Sequence, residues 1–431
     1  MSRSSSQLEA ALRLYREARL EEALTAFEGC LAADPRSATA RGFRGLVLCH
    51  LGDFERGLTD MRAAVALAPR DAVLAGNLGM ILFVQGLLDE AHATLRHALV
   101  LAPNHPEALA NLSLVLRAQG DFAGAERAAR AALAARPGFA EARVNLGYAL
   151  LAQGKFAEGW AAASFRPSPH VNLRDPAMPV PVAHHDALPA KPGAIILHGE
   201  QGLGDTLFFL RFVPQLRARG HRLAFWGDAR LHPLLKRSGH FEHFMAPAAM
   251  PGPGLTLIWA GDLPRLLDAV EPAAFPPALA LAADDARRAA LAARLASWGP
   301  PPYLGLTWRA GLPRQGKVVL SKEVDAGLLG QALNGARATF VSVQRQPRAA
   351  EMQSLAAMAL LDDYVGVSNT NTHLRAGTGR AAKVLVPWPP EWRWLESAEC
   401  SPWFPGLPTY RQGRDGSWEA ALARLRADLA A

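Results

Sequence analysis

Along the first third of the chain, apolar positions recur at helical spacing, and fixed punctuation separates one helix from the next. Gly52, Gly86, Gly120 and Gly154 stand 34 residues apart, and Pro35, Pro69, Pro103 and Pro137 keep the same interval. Each glycine follows an apolar helical run, such as Gly45-Leu-Val-Leu-Cys-His-Leu before Gly52, at the place where a left-handed residue ends a helix. Each proline closes the second helix of a pair. Small residues (Ala23, Gly57, Ala91, Ala125 and Gly159) keep the register where two helices would cross. Two helices per 34 residues predict an α-solenoid, whose usual work is to hold another molecule on its concave face. The repeats run over roughly 4–37, 38–71, 72–105, 106–139 and 140–165, the first degenerate in its leading helix. The pattern is lost at Gly159-Trp160.

The spacing resembles the tetratricopeptide repeat. Gly45, Gly79 and Gly147 hold one matching position, and Leu48, Leu82, Leu116 and Leu150 follow three residues after it. Asn77, Asn111 and Asn145 share a register near the groove-facing side of the first helix, and Phe43 holds that position one repeat earlier. An amide both donates and accepts, so such a ladder can pair with the backbone of an extended peptide. It resembles the ladder in the repeat domain of O-GlcNAc transferase. The same asparagines can equally serve packing between repeats.

Beyond 165 the period disappears. Residues 166–192 carry seven prolines from Pro167 to Pro192 and read as an ordered connector rather than a floppy tether. From 193 the pattern alternates short apolar runs with helical stretches. Strands are expected at Ala194–His198, Arg222–Trp226 and Leu255–Trp259, then at Tyr303–Trp308, Thr339–Gln344, Asp363–Val367 and Ala382–Val386. The alternation predicts two parallel, Rossmann-like α/β blocks, 193–299 and 300–431, with ligands at the carboxyl ends of the strands and in the cleft between the blocks.

Composition adds little to the fold and more to the ligand. Residues 1–165 carry 17 basic and 17 acidic side chains and the remainder 29 against 22, so the modest basic excess sits in the α/β part. It suits an anionic ligand such as a nucleotide and lacks the basic runs of a nucleic-acid binder. Cys30, Cys49 and Cys400 have no metal or redox spacing. The start has no apolar signal region, and no run nears the about 20 apolar residues a membrane helix needs. A soluble, cytoplasmic protein with no membrane span is expected.

Three stretches can carry chemistry. His198-Gly-Glu-Gln-Gly-Leu-Gly-Asp-Thr follows the first strand; Gly202 and Gly204 allow a sharp turn and close ligand approach, and Asp205 opens a helix. The plainer reading makes Asp205 an N-cap. Val365-Gly-Val-Ser-Asn-Thr-Asn-Thr-His follows a later strand and opens another helix, whose first amides suit a diphosphate or merely need capping. There His373 is a ligand-side residue or a core histidine. Pro387-Trp-Pro-Pro-Glu-Trp-Arg-Trp and Ser401-Pro-Trp-Phe-Pro are aromatic enough to stack on sugars or bases, or to pack one block on the other; the packing reading is the preferred one.

In this order, Gly199-Glu-Gln-Gly-Leu-Gly-Asp-Thr, Gly305-Leu-Thr-Trp-Arg-Ala-Gly, Asn369-Thr-Asn-Thr-His-Leu-Arg-Ala-Gly and Pro390-Glu-Trp-Arg-Trp resemble the heptosyltransferase-like (family 9-like) glycosyltransferases of the GT-B fold, especially bacterial members preceded by tetratricopeptide repeats. The resemblance implies a compact GT-B-like pair, 193–299 on the acceptor side and 300–431 on the nucleotide-sugar side. It implies an inverting transfer without metal or other cofactor, with Asp205 as general base. The donor's diphosphate would lie on Ser368, Asn369, Thr370, Asn371, Thr372 and His373, with Arg309, or else Arg345, as the cation. The acceptor would be a protein, such as flagellin or another surface protein, held along the solenoid. One position departs: the family has an aspartate five residues before the histidine, and this chain has Ser368. That departure speaks against a heptose donor and for the competing reading, a non-catalytic scaffold with a degenerate transferase-like part.

Overall fold

Every expected helix-ending glycine takes the left-handed conformation in the computed structural model, with φ of +94° at Gly52, +73° at Gly86, +83° at Gly120 and +78° at Gly154. The structure describes residues 3–164, 187–200, 202–245, 256–310, 322–344 and 352–430. The chain divides into two units: residues up to 150, and 151–164 with the described residues from 187 onward.

The first unit is a solenoid of paired helices: α1 (Arg3–Arg16), α2 (Leu20–Ala33), α3 (Ala38–His50), α4 (Phe54–Leu67), α5 (Ala72–Val84), α6 (Leu88–Leu101), α7 (Pro106–Ala118), α8 (Phe122–Ala135) and most of α9 (Ala140–Ala152). The periodic prolines stand two residues after α2, α4, α6 and α8, and the residue between is extended or nearly so, as a residue before proline must be. Side chains of Ser37, Asp53, Asp71 and Asp121 cap the helices that follow them. The small residues lie where helices cross: Ala23, Ala91 and Ala125 are wholly buried. A Cβ on Gly57 would stand 2.7 Å from the Gly45 carbonyl and 2.4 Å from Cys49 Sγ, so α3 and α4 touch backbone to backbone.

The second unit begins with α10 (Phe156–Ala163), the last helix of the repeat series. Trp160 leaves the repeat pattern because its ring joins an aromatic core, 5.9 Å from Phe209 and Phe275, 5.2 Å from Trp392 and 5.9 Å from Trp403. The unit then builds two parallel sheets. The first runs β1 (Ala194–His198), α11 (Leu203–Phe209), α12 (Val213–Ala218), β2 (Arg222–Trp226), α13 (His232–Ser238), β3 (His243–Met245), β4 (Thr256–Trp259), α14 (Leu263–Leu266) and α15 (Asp285–Trp298), with strand order β3-β2-β1-β4. The second runs β5 (Tyr303–Thr307), α16 (Ala326–Ala332), β6 (Thr339–Ser342), α17 (Met352–Leu360), β7 (Asp363–Val367), α18 (Thr370–Gly377), β8 (Lys383–Val386), β9 (Thr409–Arg411) and α19 (Glu419–Ala430), with order β6-β5-β7-β8-β9.

The expected strands appear, shortened by one or two residues at some ends; β3 and β9 were not anticipated. The connector up to residue 186 and Leu255 lie outside the described residues. Among the described residues no helix is long and apolar enough to cross a membrane. In each sheet the chain reverses its direction of growth, beside β1 in the first and beside β5 in the second. In such sheets ligands bind at this reversal, beyond the carboxyl ends of the strands.

Candidate functional site

Both glycine-flanked motifs fall at the reversals. The loop after β1 leads into α11, and its N-cap is Gly202, which offers no side-chain cap. Asp205 therefore stands in the first turn and is not the N-cap that the plainer sequence reading made it. A Cβ on Gly202 would lie 2.6 Å from Asp205 Oδ2, so the glycine makes room for that carboxylate. A Cβ on Gly204 would lie 3.0 Å from His373 Cδ2, so this glycine lets α11 settle on α18. Thr206 Oγ1 ties the loop by accepting from the Glu200 amide at 2.8 Å.

Asp205 accepts a hydrogen bond from Arg393 Nη1, and the contact is an ion pair. Arg393 Nη2 also donates to Glu391 Oε1 at 3.2 Å. Lys322 Nζ donates to the same oxygen at 2.6 Å, and Ser368 Oγ donates to Glu391 Oε2 at 2.8 Å. Four segments thus meet: the first turn of α11, the chain beyond β5, the residue just past β7 and the connection from β8 to β9. Burial acts to raise the Glu391 carboxyl, but Arg393 and Lys322, with hydrogen bonds from Lys322 and Ser368, bring it from 4.5 down to about 2. It is a fixed anion at neutral pH.

His373 lies under this network, 4% exposed. Its ring is 6.1 Å from Phe208 and 5.4 Å from Phe404. Burial, then Arg393, Arg211 and Lys322, hold it well below the ordinary histidine value, with Glu391 opposing, so it is neutral. Nearby Arg211 is 1% exposed and sits 4.3 Å from the Phe208 ring centre and 4.8 Å from that of Phe404. It donates to the carbonyls of Phe208 at 2.9 Å and Trp403 at 2.8 Å.

The diphosphate residues proposed from sequence are positioned as follows. Ser368, Asn371 and Thr372 are buried. Asn369 caps α18, its Oδ1 accepting from the Asn371 amide at 2.8 Å, while the Thr372 amide donates to the Asn369 carbonyl at 3.2 Å. Asn371 Nδ2 reaches the Val343 carbonyl at 3.3 Å, and Thr370 is half-buried. Two of the first amides of α18 are thus engaged by Asn369. Arg309 stands just past β5, its backbone clasped at both ends by the Gln344 side chain at 3.2 and 3.1 Å. Its Nε is buried with no hydrogen-bond partner among the described residues. Arg345 lies outside the described residues.

The asparagine ladder divides. Asn145 is buried and donates to the Ala110 carbonyl at 3.2 Å, a bond to the preceding repeat. At this position packing replaces the groove reading. Asn77 and Asn111 are half-buried, and among the described residues no side-chain hydrogen bond engages them.

Sequence reasoning missed Lys322, Glu391, Arg393 and Arg211. The signal for two of them was present in Pro390-Glu-Trp-Arg-Trp, where an acid and a base alternate with tryptophans. Trp392 and Trp403 follow the packing reading: Trp392 lies 5.3 Å from Phe208, and the buried Trp403 lies 4.3 Å from Phe275.

Comparison with known proteins places the first part. Segments 8–72, 50–106, 77–125 and 110–164 match the tetratricopeptide repeat family. Residues 8–164 are tetratricopeptide repeats. Protein FlbA of Caulobacter vibrioides is 26% identical over 321 residues, covering 63% of this chain and 52% of FlbA. The chain thus spans about half the length of this curated relative. Among solved structures, the tetratricopeptide-repeat protein TTC0263 of Thermus thermophilus is 25% identical, covers 40% of this chain and 95% of its own, and has a TM-score of 0.35. Pseudomonas aeruginosa PilF is 19% identical, covers 38% of this chain and 77% of its own, and has a TM-score of 0.36.

Proposed function

We propose that the α/β unit is an inverting glycosyltransferase using a nucleotide-sugar donor, and that the solenoid recruits its acceptor, a protein. The observation that carries this reading is the meeting of the two sheet reversals: Asp205, past β1, touches Arg393 and lies beside α18, past β7. In this reading the sheet of β1–β4 takes the acceptor and that of β5–β9 the nucleotide sugar, a GT-B-like pairing. Asp205 takes the proton of an acceptor hydroxyl as its oxygen attacks the anomeric carbon. The new C–O bond forms on the face opposite the nucleotide, the bond from that carbon to the diphosphate breaks, and the nucleoside diphosphate leaves with the electron pair. Arg309 and the Ser368–Asn371 segment face the phosphates, and no metal or cofactor enters the scheme. A cytoplasmic location belongs to the same proposal.

The test is a thermal-shift screen of the full chain against nucleoside diphosphate sugars, because a ligand of the folded state raises its stability. It is followed by an assay of sugar transfer. Asp205→Asn is expected to lower turnover about 10²–10⁴-fold. Full turnover in that variant removes Asp205 as base. A second reading, a non-catalytic scaffold, is favoured by the Asn369 cap on α18 and by the engagement of Asp205 with Arg393. It expects partner binding by the solenoid and no response to any nucleotide sugar.

A further inference from the structure

The amino-terminal edge of the first sheet collects charge of one sign. Its strands are parallel, so the starts of β1 and β2 and the last turns of α12 and α13 come to the same edge. Lys191 precedes β1, Arg222 opens β2, Arg217 and Arg219 close α12, and Lys236 and Arg237 close α13. Close contacts hold the first three of these segments together. The Arg222 amide donates to the Gly193 carbonyl at 3.0 Å, the Gly193 amide donates to His221 Nδ1 at 3.3 Å, and a Cβ on Gly220 would lie 3.2 Å from Pro192. Among the described residues of this edge one carboxylate answers the six cations: Glu242, which Arg217 takes at 3.1 Å. Arg237 donates to the Ala282 carbonyl at 2.8 Å, and the start of α15 just beyond carries Asp284, Asp285, Arg287 and Arg288, two acids and two bases. Lys191, Arg219, Arg222 and Lys236 are exposed and have no ion-pair partner among the described residues.

Helix ends explain only part of this set. Arg217, Lys236 and Arg237 suit the carboxyl ends of their helices, whereas Lys191 and Arg222 stand on a connection and a strand. We propose that this edge docks the chain on an anionic lipid surface. The cations come from the ends of four segments and run along none of them, so no helix or ribbon presents them to a nucleic-acid groove. Among the described residues between 187 and 245 no large apolar side chain is exposed, so single-stranded nucleic acid finds no stacking platform there. A membrane asks only that several cations face one way, and each adds to the attraction. The reversal that carries Asp205 lies at the opposite edge of the same sheet, a five-residue strand away, about 16 Å. Docking by the amino-terminal edge therefore turns the carboxyl edge away from the lipid, and the proposal stands whether or not the site there transfers sugar.

Co-sedimentation of the full chain with lipid vesicles tests the docking. At low ionic strength the parent should bind vesicles of equal parts phosphatidylglycerol and phosphatidylcholine, ignore phosphatidylcholine alone, and come off as added salt screens the charges. Arg219→Gln with Arg222→Gln removes two exposed cations and should weaken partition about 25-fold, about fivefold for each basic residue near an anionic surface. Arg96→Gln with Arg127→Gln takes the same charge from exposed positions on α6 and α8 of the solenoid and should leave partition at the parental value. Absence of vesicle binding by the parent overturns the docking face, as does parental partition in the first pair. Equal weakening by the two pairs also overturns it, by making net charge rather than this edge the cause. Complete release from the vesicles by duplex DNA at equal phosphate concentration would assign the edge to nucleic acid instead.

Discussion

Arg375 is 2% exposed, yet its guanidinium reaches four carbonyls. Nε donates to Ala381 at 2.8 Å, Nη1 to Met358 and Leu361 at 2.7 Å each, and Nη2 to Asp362 at 2.9 Å. One side chain thus pins the end of α17, the turn before β7 and the turn before β8 to α18. Burial, then Arg380, brings its guanidinium down to about 10, which still leaves it charged at neutral pH. Arg375→Met keeps much of the stem and strands four carbonyls, so denaturant unfolding should show a loss of about 3–5 kcal/mol. Arg375→Lys should recover part of it, since one ammonium cannot span all four acceptors. Unfolding of Arg375→Met at the parental midpoint would show that the carbonyls find other donors. In the sequence this arginine cannot be told from Arg309 or Arg393, because each lies in one of the short motifs; what marks Arg375 as structural is its set of partners, four backbone carbonyls, where Arg393 meets the carboxylates of Asp205 and Glu391.

The helix crossings make the corresponding argument at the scale of elements. Gly57→Ala puts a methyl group against the Gly45 carbonyl and Cys49 Sγ, both nearer than any Cβ tolerates. The solenoid should lose about 1–3 kcal/mol, read from its far-ultraviolet melting. The ladder should split by position: Asn145→Ala melts early for want of its bond to Ala110, whereas Asn77→Ala with Asn111→Ala folds like the parent and, in the transferase reading, loses affinity for the proposed acceptor protein. Retained acceptor capture by the latter pair would move recruitment off this face. These crossings also explain what could be read beforehand. A 34-residue register is a local signal repeated along the chain, so repeats, helix ends and small crossing residues were all visible. Strands β3 and β9, three residues each, are too short to carry an alternation. The charge network was invisible for another reason. Asp205 and Arg393 are 188 positions apart, and nothing local in either segment specifies the other. Trp160 was legible only as a break in the period; its partners in the aromatic core lie at Phe209, Phe275, Trp392 and Trp403.

For the whole molecule, acid should act first on the α/β unit, in two stages. His373 is held well below its ordinary 6.5 in the folded chain, by burial first and by Arg393, Arg211 and Lys322 next. Below about pH 6.5 the unfolded chain takes a proton that the folded chain refuses, so stability falls with pH until the folded His373 also protonates. His240, lowered by burial and Arg217, acts in the same sense. Glu391 is displaced from 4.5 to about 2, so its contribution is complete above 4.5 and is lost as pH falls from there toward 2. All ten tryptophans stand at position 160 or later, outside the first unit, so tryptophan fluorescence follows the unfolding of the α/β unit alone. Urea midpoints read this way from about pH 8 to about pH 3 should fall in a shallow limb and then a steeper one, as histidine and then carboxylate linkage takes hold. His373→Gln should flatten the first limb relative to the parent and leave the second. Glu391→Gln should lower the midpoint at neutral pH, because Arg393 and Lys322 lose their shared anion, and should flatten the second limb. A parental first limb in His373→Gln would show that His373 is protonated in the folded chain, and that the seam between α11 and α18 is wetter than its packing implies.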